Sequence, residues 1–170
     1  MISLSRTFQE TWAALKHWPD ADKWVAAVKV AIPSLAIIAA IGFLSGWLHW
    51  YPQDRWQDYA KALLMGIFLI ALPFEVVFRG LLLSTLAQVI ARWAAWISTG
   101  LFVVYFPVFG YLNQTKWNGA FQMPSFWFGM LIFGIILSHI RIRSGSLWPV
   151  ILIHGFAAAT WMAFLGGRTY

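Results

Sequence analysis

The sequence of 170 residues contains no cysteine and little charge. Without cysteine, the chain can form neither disulfides nor thiolate nucleophiles. Charged residues make up only 11% of the chain, whereas a soluble domain would carry roughly a quarter. Hydrophobic residues make up 61%, so lipid must replace water over much of the surface. The composition therefore predicts an integral membrane protein that contacts the lipid bilayer.

The net charge of +6 would also fit a nucleic-acid partner. We predict no such partner, because the basic residues are scattered and membrane topology explains their placement better. A cytoplasmic N-terminus puts seven of them inside: Arg6, Lys16, Lys23, Lys29, Arg92, Arg141 and Arg143. The four on the outside are then Arg55, Lys61, Lys116 and Arg168. This distribution favours a cytoplasmic N-terminus.

Several apolar runs reach the length of about 20 residues that a membrane-spanning helix needs. They cover residues 25–49, 59–91, 93–109, 123–140 and 147–165. The second run is too long for one straight span, and we expect Pro73 to kink it. The fold class predicted is therefore all-α, a polytopic membrane bundle of about five to six helices.

Residues 1–24 differ from the rest of the chain. Leu4, Phe8, Trp12 and Leu15 recur at spacings of three and four, which predicts an amphipathic helix that ends before Pro19. This helix either lies on the membrane surface or packs on the protein itself. We predict an interfacial segment over 1–24 and a single transmembrane bundle over 25–170.

Glu75 and Arg79 stand in an apolar stretch, one helical turn apart. A carboxylate at that depth costs several kcal/mol unless it is paired or protonated. A spacing of four residues predicts an ion pair on one helix face. Such a pair is either structural, holding helices together, or part of a catalytic site.

His154 lies in the middle of another apolar segment and is followed by small residues, among them Gly155. Small residues allow helices to approach closely, so we expect His154 to face the bundle. Its imidazole is either a hydrogen-bonded packing group or the acid–base partner of a carboxylate.

No metal or cofactor is predicted. His17, His49 and His139 lie elsewhere, and no two histidines have the i, i+4 spacing of a metal site. A proton-relay transporter is a further class that a Glu–Arg–His cluster fits. The chain has few polar groups to line a path and no visible repeated half, which disfavours transport.

Three stretches carry a family resemblance. Phe74 to Arg79 parallels a Glu-Glu-x-x-x-Arg motif, Phe102 to Phe106 parallels Phe-x-x-x-His, and His154 to Ala158 parallels His-x-x-x-Asn. In order, spacing and flanks the chain resembles the glutamic-type intramembrane endopeptidases of the CAAX-protease and bacteriocin-processing (CPBP) group. The resemblance covers about residues 60–165. It also implies a bacterial inner membrane location.

The resemblance implies that the site is degenerate. In that family the first glutamate and the second-motif histidine activate the attacking water, and Phe74 and Phe106 stand there in this chain. The third-motif histidine and asparagine stabilise the oxyanion; His154 is retained, but Ala158 cannot donate a hydrogen bond. A general base typically contributes about 10²–10⁴-fold to the rate. Two phenylalanines would also fill the space of the water.

The predicted function is therefore that of a non-catalytic CPBP-like protein. It would bind a membrane-protein partner or a hydrophobic peptide in a scaffold, assembly or regulatory role. The alternative is an active endopeptidase with a rearranged site, in which Glu75 and His154 are the residual catalytic residues. Against the alternative, neighbouring helical residues point about 100° apart, so Glu75 should face away from the position of Phe74.

Overall fold

The computed structural model describes residues 2–113 and 118–166, which excludes Lys116 and Arg168 of the predicted topology. Over these residues the chain is helical, and the all-α prediction is confirmed. The helices are α1 (Leu4–Lys16), α2 (Ala21–Ser45), α3 (Trp56–Leu64), α4 (Leu72–Glu75), α5 (Leu83–Asn113), α6 (Asn118–Phe121), α7 (Pro124–Ser144) and α8 (Trp148–Phe164). Two π-helical segments, π1 (Met65–Ala71) and π2 (Val76–Leu82), flank α4.

Within the described ranges, three helical stretches are long and apolar enough to cross a membrane: Ala21–Ser45, Trp56–Leu112 and Pro124–Ser144. Helix α8 is also apolar but shorter. Many large apolar side chains point outward, including Leu44, which is 90% exposed. Such a surface is stable against lipid tails but not against water. The chain is an integral membrane protein.

The first span begins and ends earlier than the predicted range of 25–49. Gly46 closes α2 with φ of 77°, a left-handed conformation that glycine adopts without strain. The backbone N–H groups of Trp47 and Leu48 then donate to the carbonyl of Gly42. Both side chains are buried, so the apolar run continues past the helix because the connection that follows is part of the core.

The second and third predicted spans form one helical stretch of 57 residues, Trp56–Leu112. At about 1.5 Å per residue a straight helix of that length would measure roughly 85 Å, far more than the bilayer core. The stretch is interrupted at Ile90, whose backbone angles (φ −136°, ψ 51°) are not helical.

At Pro73, where we expected a kink, the helix instead continues through π-helical turns. Segment π1 ends just before this proline, and the N–H of Leu72 donates to the carbonyl of Ile67, five residues back. A proline lacks an N–H and clashes with the carbonyl four residues earlier. The wider π turns accommodate the proline without non-helical backbone angles at that point.

Helix α7 contacts α2, α5 and α8, while α8 packs on π1 and α3. The contact between α8 and π1 is close because glycines meet there. A Cβ atom on Gly66 would stand 2.6 Å from the carbonyl oxygen of Gly155, and one on Gly155 would stand 2.7 Å from Ile67 Cγ1. Only glycine allows this approach, which places the residue before Gly155 deep in the bundle.

Helix α1 packs on π2 and α5 through a face of small and hydroxyl side chains. Thr7, for example, is buried, its hydroxyl is hydrogen-bonded to Thr85, and it accepts from Gln88 Nε2 at 2.9 Å. Another face of α1 exposes Phe8 and Trp12, which are 61% and 60% accessible. One side of α1 therefore packs on the protein, and its apolar side remains uncovered.

The end of α1 is held by the turn between α7 and α8. The hydroxyl of Ser146 donates to the carbonyl of His17, and Trp148 Nε1 donates to the carbonyl of Leu15 at 2.8 Å. The N–H of Leu147 donates to the carbonyl of Ala14 at 3.1 Å. These carbonyls have no partner within the helix itself, so the turn supplies the missing donors.

Candidate functional site

The structure brings Glu75, Arg79 and His154 together. Glu75 Oε1 lies 2.6 Å from His154 Nδ1, and Glu75 Oε2 lies 3.5 Å from Arg79 Nε. The first two share a short hydrogen bond. Glu75 and Arg79 have no exposed surface, and His154 is 5% exposed. The carboxylate therefore has two partners, of which the imidazole is the closer.

The expected 100° divergence between Phe74 and Glu75 does not keep the carboxylate from His154. Glu75 is the last residue of α4, and the backbone of the next seven residues follows π geometry. The glycine contact between π1 and α8 also brings the two segments unusually close. As a result Phe74 and Glu75 both reach His154, one through its ring and one through its carboxylate.

Arg79 lies among three helical elements. Its Nη2 donates to the carbonyl of Gly134 on α7 at 3.2 Å, and its guanidinium stacks 4.2 Å from the ring centre of Phe102 on α5. Guanidinium groups stack well on aromatic faces because they are planar and weakly hydrated. A Cβ on Gly134 would stand 3.2 Å from Nη2, so this glycine makes room for the arginine.

Aromatic rings enclose the imidazole of His154. The ring centres of Phe74, Phe102 and Phe133 lie 6.0, 5.9 and 5.3 Å from that of His154, all at steep angles. Such edge-to-face arrangements are the favoured geometry of aromatic pairs. The imidazole thus meets carbon on several sides and the Glu75 carboxylate on another.

Two of the three positions predicted to depart from the family motifs, Phe74 and Phe106, belong to this aromatic group. Phe74 and Phe106 stack at 6.1 Å and 25°, and Phe106 meets Phe102 edge-on at 5.2 Å. Phe106 therefore reaches His154 through the other two rings. Ala158 lies one turn beyond His154 on α8 and is partly buried.

Sequence reasoning did not identify Phe102, Phe133 or Gly134 as parts of the site. Phe102 is the first residue of the second motif, and this position could have indicated that it belongs to the site. Phe133 and Gly134 lie in an apolar run whose periodicity shows no preferred face, so nothing in the sequence distinguished them from lipid-facing neighbours.

A carboxylate and an imidazole at this distance can share a proton. If Nδ1 carries the hydrogen, it donates to Glu75 Oε1; an imidazolium would do so more strongly. Among the described residues no group of three or more His, Asp or Glu side chains is placed to hold a metal ion. The chemistry open to the site is therefore that of one acid–imidazole pair beside one guanidinium.

These features define an all-helical integral membrane protein with a buried Glu–Arg–His cluster. The sequence profile of the Rce1-like type II CAAX prenyl endopeptidases matches residues 56–160. That range is more than half of the chain, and the chain belongs to this family, as the resemblance predicted. The matched range begins with α3, ends within α8 and contains all three residues of the cluster. No curated protein and no solved structure matches the chain.

Proposed function

We propose that this chain is a non-catalytic member of the CAAX endopeptidase family that binds a membrane protein or a hydrophobic peptide. The observation that carries the proposal is the position of Phe74, whose ring lies 6.0 Å from that of His154. The family places a carboxylate at this position for water activation. A phenyl ring can neither accept a proton nor orient a water molecule.

The state of Glu75 supports the same conclusion. One carboxylate oxygen is hydrogen-bonded to His154, the other faces Arg79, and neither is exposed. A general base must reach a water molecule that itself reaches the scissile carbonyl. In this arrangement the carboxylate instead hydrogen-bonds the buried imidazole and lies 3.5 Å from the buried guanidinium as its counter-charge, which is a structural role.

The second candidate function is an active endopeptidase that uses Glu75 and His154. The 2.6 Å contact between them favours it, because it is the geometry of an acid–imidazole pair. The π-helical turns on both sides of Glu75 favour it as well, since such turns often occur at functional sites. Its substrate would be an apolar or prenylated peptide near the membrane face.

We also propose how the chain is organised in the membrane. Residues 1–24 form an interfacial segment, and residues 25–170 form one bundle that acts as a scaffold, assembly factor or regulator. The exposed apolar side of α1 supports the first statement. The N-terminus is cytoplasmic, and the membrane is the bacterial inner membrane. The excess of basic residues predicted on that side supports this orientation.

Reconstitution in liposomes with a fluorescent farnesylated peptide that ends in a CAAX sequence tests both candidates. Under the proposal the peptide binds, seen as increased anisotropy, and mass spectrometry finds no cleavage above that of empty liposomes. Cleavage by the unmodified chain that disappears in Glu75→Gln and in His154→Gln would overturn the proposal and establish the second candidate. An unprenylated apolar peptide of the same length shows whether binding needs the prenyl group.

A restoration variant tests why activity is missing. The substitutions Phe74→Glu, Phe106→His and Ala158→Asn return the family motifs to this chain. If the missing general base is the cause of inactivity, the rate of peptide hydrolysis should rise by about 10²-fold or more over that of the unmodified chain. The matched control carries Phe74→Gln, Phe106→Gln and Ala158→Asn, which are polar but supply no base. A restoration variant that binds the peptide and stays inactive would contradict the assignment of these three positions.

A further inference from the structure

A cavity of about 230 Å³ lies between the beginning of α2 and the end of α7. It is separate from the Glu–Arg–His cluster, none of whose members lines it. Lys23 stands on the α2 side, and His139 and Arg143, one turn apart, stand on the α7 side. All three are exposed. The cavity thus has nitrogen donors on both walls.

Apart from Ser144, the remaining wall is apolar and includes Ala26, Val30 and Ile140. Among the described residues that line the cavity, none is acidic. Neither Lys23 nor Arg143 forms an ion pair with another residue in the described parts of the chain. Two cations that form no ion pair, beside a largely apolar wall, are suited to a ligand with an anionic head and an apolar body.

The depth of the cavity follows from its neighbours. Trp18 packs against Trp24 at 5.1 Å and against Trp148 at 5.8 Å. Tryptophans gather at the level of lipid headgroups because the indole is both apolar and a hydrogen-bond donor. Lys23 directly precedes Trp24, while farther along α2 the side chain of Ile32 is 63% exposed, as expected for a lipid-facing residue. The cations therefore lie at headgroup level and the apolar wall continues toward the hydrocarbon.

We infer that this cavity binds the phosphate of an anionic phospholipid, with Lys23, His139 and Arg143 as donors to its oxygens. Basic pockets between membrane helices are suited to such headgroups. The apolar wall argues for a lipid over a free phosphate ion, because an inorganic ion gains nothing from Ala26 and Val30. The inference is independent of whether the Glu75–His154 pair is catalytic.

Native mass spectrometry of the purified chain in neutral detergent, titrated with phosphatidylglycerol or phosphatidylcholine, tests the inference. The pocket variant Lys23→Gln/Arg143→Gln removes two cations. The matched control Lys29→Gln/Arg92→Gln removes the same charge from exposed residues outside the cavity. A third variant, Lys23→Arg/Arg143→Lys, keeps the charge and reports on folding.

We expect the unmodified chain to retain phosphatidylglycerol in preference to phosphatidylcholine. The pocket variant should lose roughly 30-fold in affinity, as two basic contacts to an anionic headgroup imply. The control and the charge-conserving variant should bind as the unmodified chain does. Excess inorganic phosphate should not release the lipid.

Three results would overturn the inference. The first is equal retention of phosphatidylglycerol and phosphatidylcholine. The second is an equal loss of affinity for phosphatidylglycerol in the pocket variant and its control, which would mean that the lipid is attracted by the overall positive charge and not by this cavity. The third is displacement of the lipid by excess inorganic phosphate, which would identify a free-anion site.

Discussion

Glu75 and His154 are 79 residues apart in the chain, yet 2.6 Å separates the carboxylate oxygen Oε1 from the imidazole nitrogen Nδ1. The contact joins α4 to α8 across the glycine interface of the bundle. Because the carboxylate also faces Arg79, the three side chains form one cluster in which the removal of any member leaves another without its partner. This mutual dependence underlies the first three predictions.

Replacing Arg79 by methionine should destabilise the fold strongly. It would leave the buried Glu75 carboxylate without its cation and remove the hydrogen bond to Gly134, at a cost of about 3–5 kcal/mol in the free energy of unfolding. Unfolding in mixed detergent and SDS micelles measures this. The matched control is Arg55→Met, because Arg55 pairs with Asp58 on the surface and should change nothing measurable. Equal effects of the two substitutions would contradict a structural role for the buried pair.

The link between Glu75 and His154 should appear in a double-mutant cycle. With Glu75→Ala, His154→Ala and the double variant, we expect a coupling free energy of about 0.5–3 kcal/mol. The exposed pair Arg6–Glu10, whose nitrogen and oxygen are 2.7 Å apart, is the comparison and should show no measurable coupling. Additive effects at Glu75 and His154 would mean that their contact contributes nothing to the fold.

Gly134→Ala should displace Arg79. The new methyl group would stand 2.8 Å from Thr99 Cγ2 and 3.2 Å from Arg79 Nη2, and such overpacking costs about 1–3 kcal/mol. Gly100→Ala is the control, since a Cβ there meets nothing within 4 Å and alanine favours the helix. The same unfolding assay compares them. A Gly134→Ala chain as stable as Gly100→Ala would show that the space around the guanidinium is not tight.

The apolar side of α1 should lie in lipid. Because the chain has no cysteine, Phe8→Cys gives a single site for a nitroxide label, and Ala13→Cys labels another exposed side of the same helix. In liposomes we expect the label at Phe8 to be more accessible to oxygen than to a water-soluble nickel chelate, and the label at Ala13 to show the reverse. Equal accessibility at both positions would place the helix away from the bilayer.

Much of the fold could be predicted from hydrophobicity alone. A spanning helix must satisfy its own backbone in lipid, so each apolar run that is long enough predicts a helix, and all five runs contain one. The ends of the helices were less predictable, because apolar residues occur both where a segment is buried in the protein and where it faces lipid. Trp47 and Leu48 illustrate this: they extend the first apolar run but lie in a buried connection.

The site was harder to predict because it depends on departures from regular helices. The pairing of Glu75 with Arg79 follows from their spacing of four residues. The contact of Glu75 with His154 does not, since it depends on π turns beside Glu75 and on the close approach of Gly66 to Gly155. Neither feature produces a periodic pattern in the sequence. The position of Gly134 beside the Arg79 guanidinium produces none either.

The carbonyls of Ala14, Leu15 and His17 receive their donors from residues 146–148, and this sets an order of assembly. A ribosome releases α1 long before it makes the turn that caps it. These three carbonyls therefore receive their donors only once residues 146–148 have been made, although the contacts of α1 with π2 and α5 can form earlier. Protection of the end of α1 from proteolysis would consequently report that the turn between α7 and α8 has reached its place.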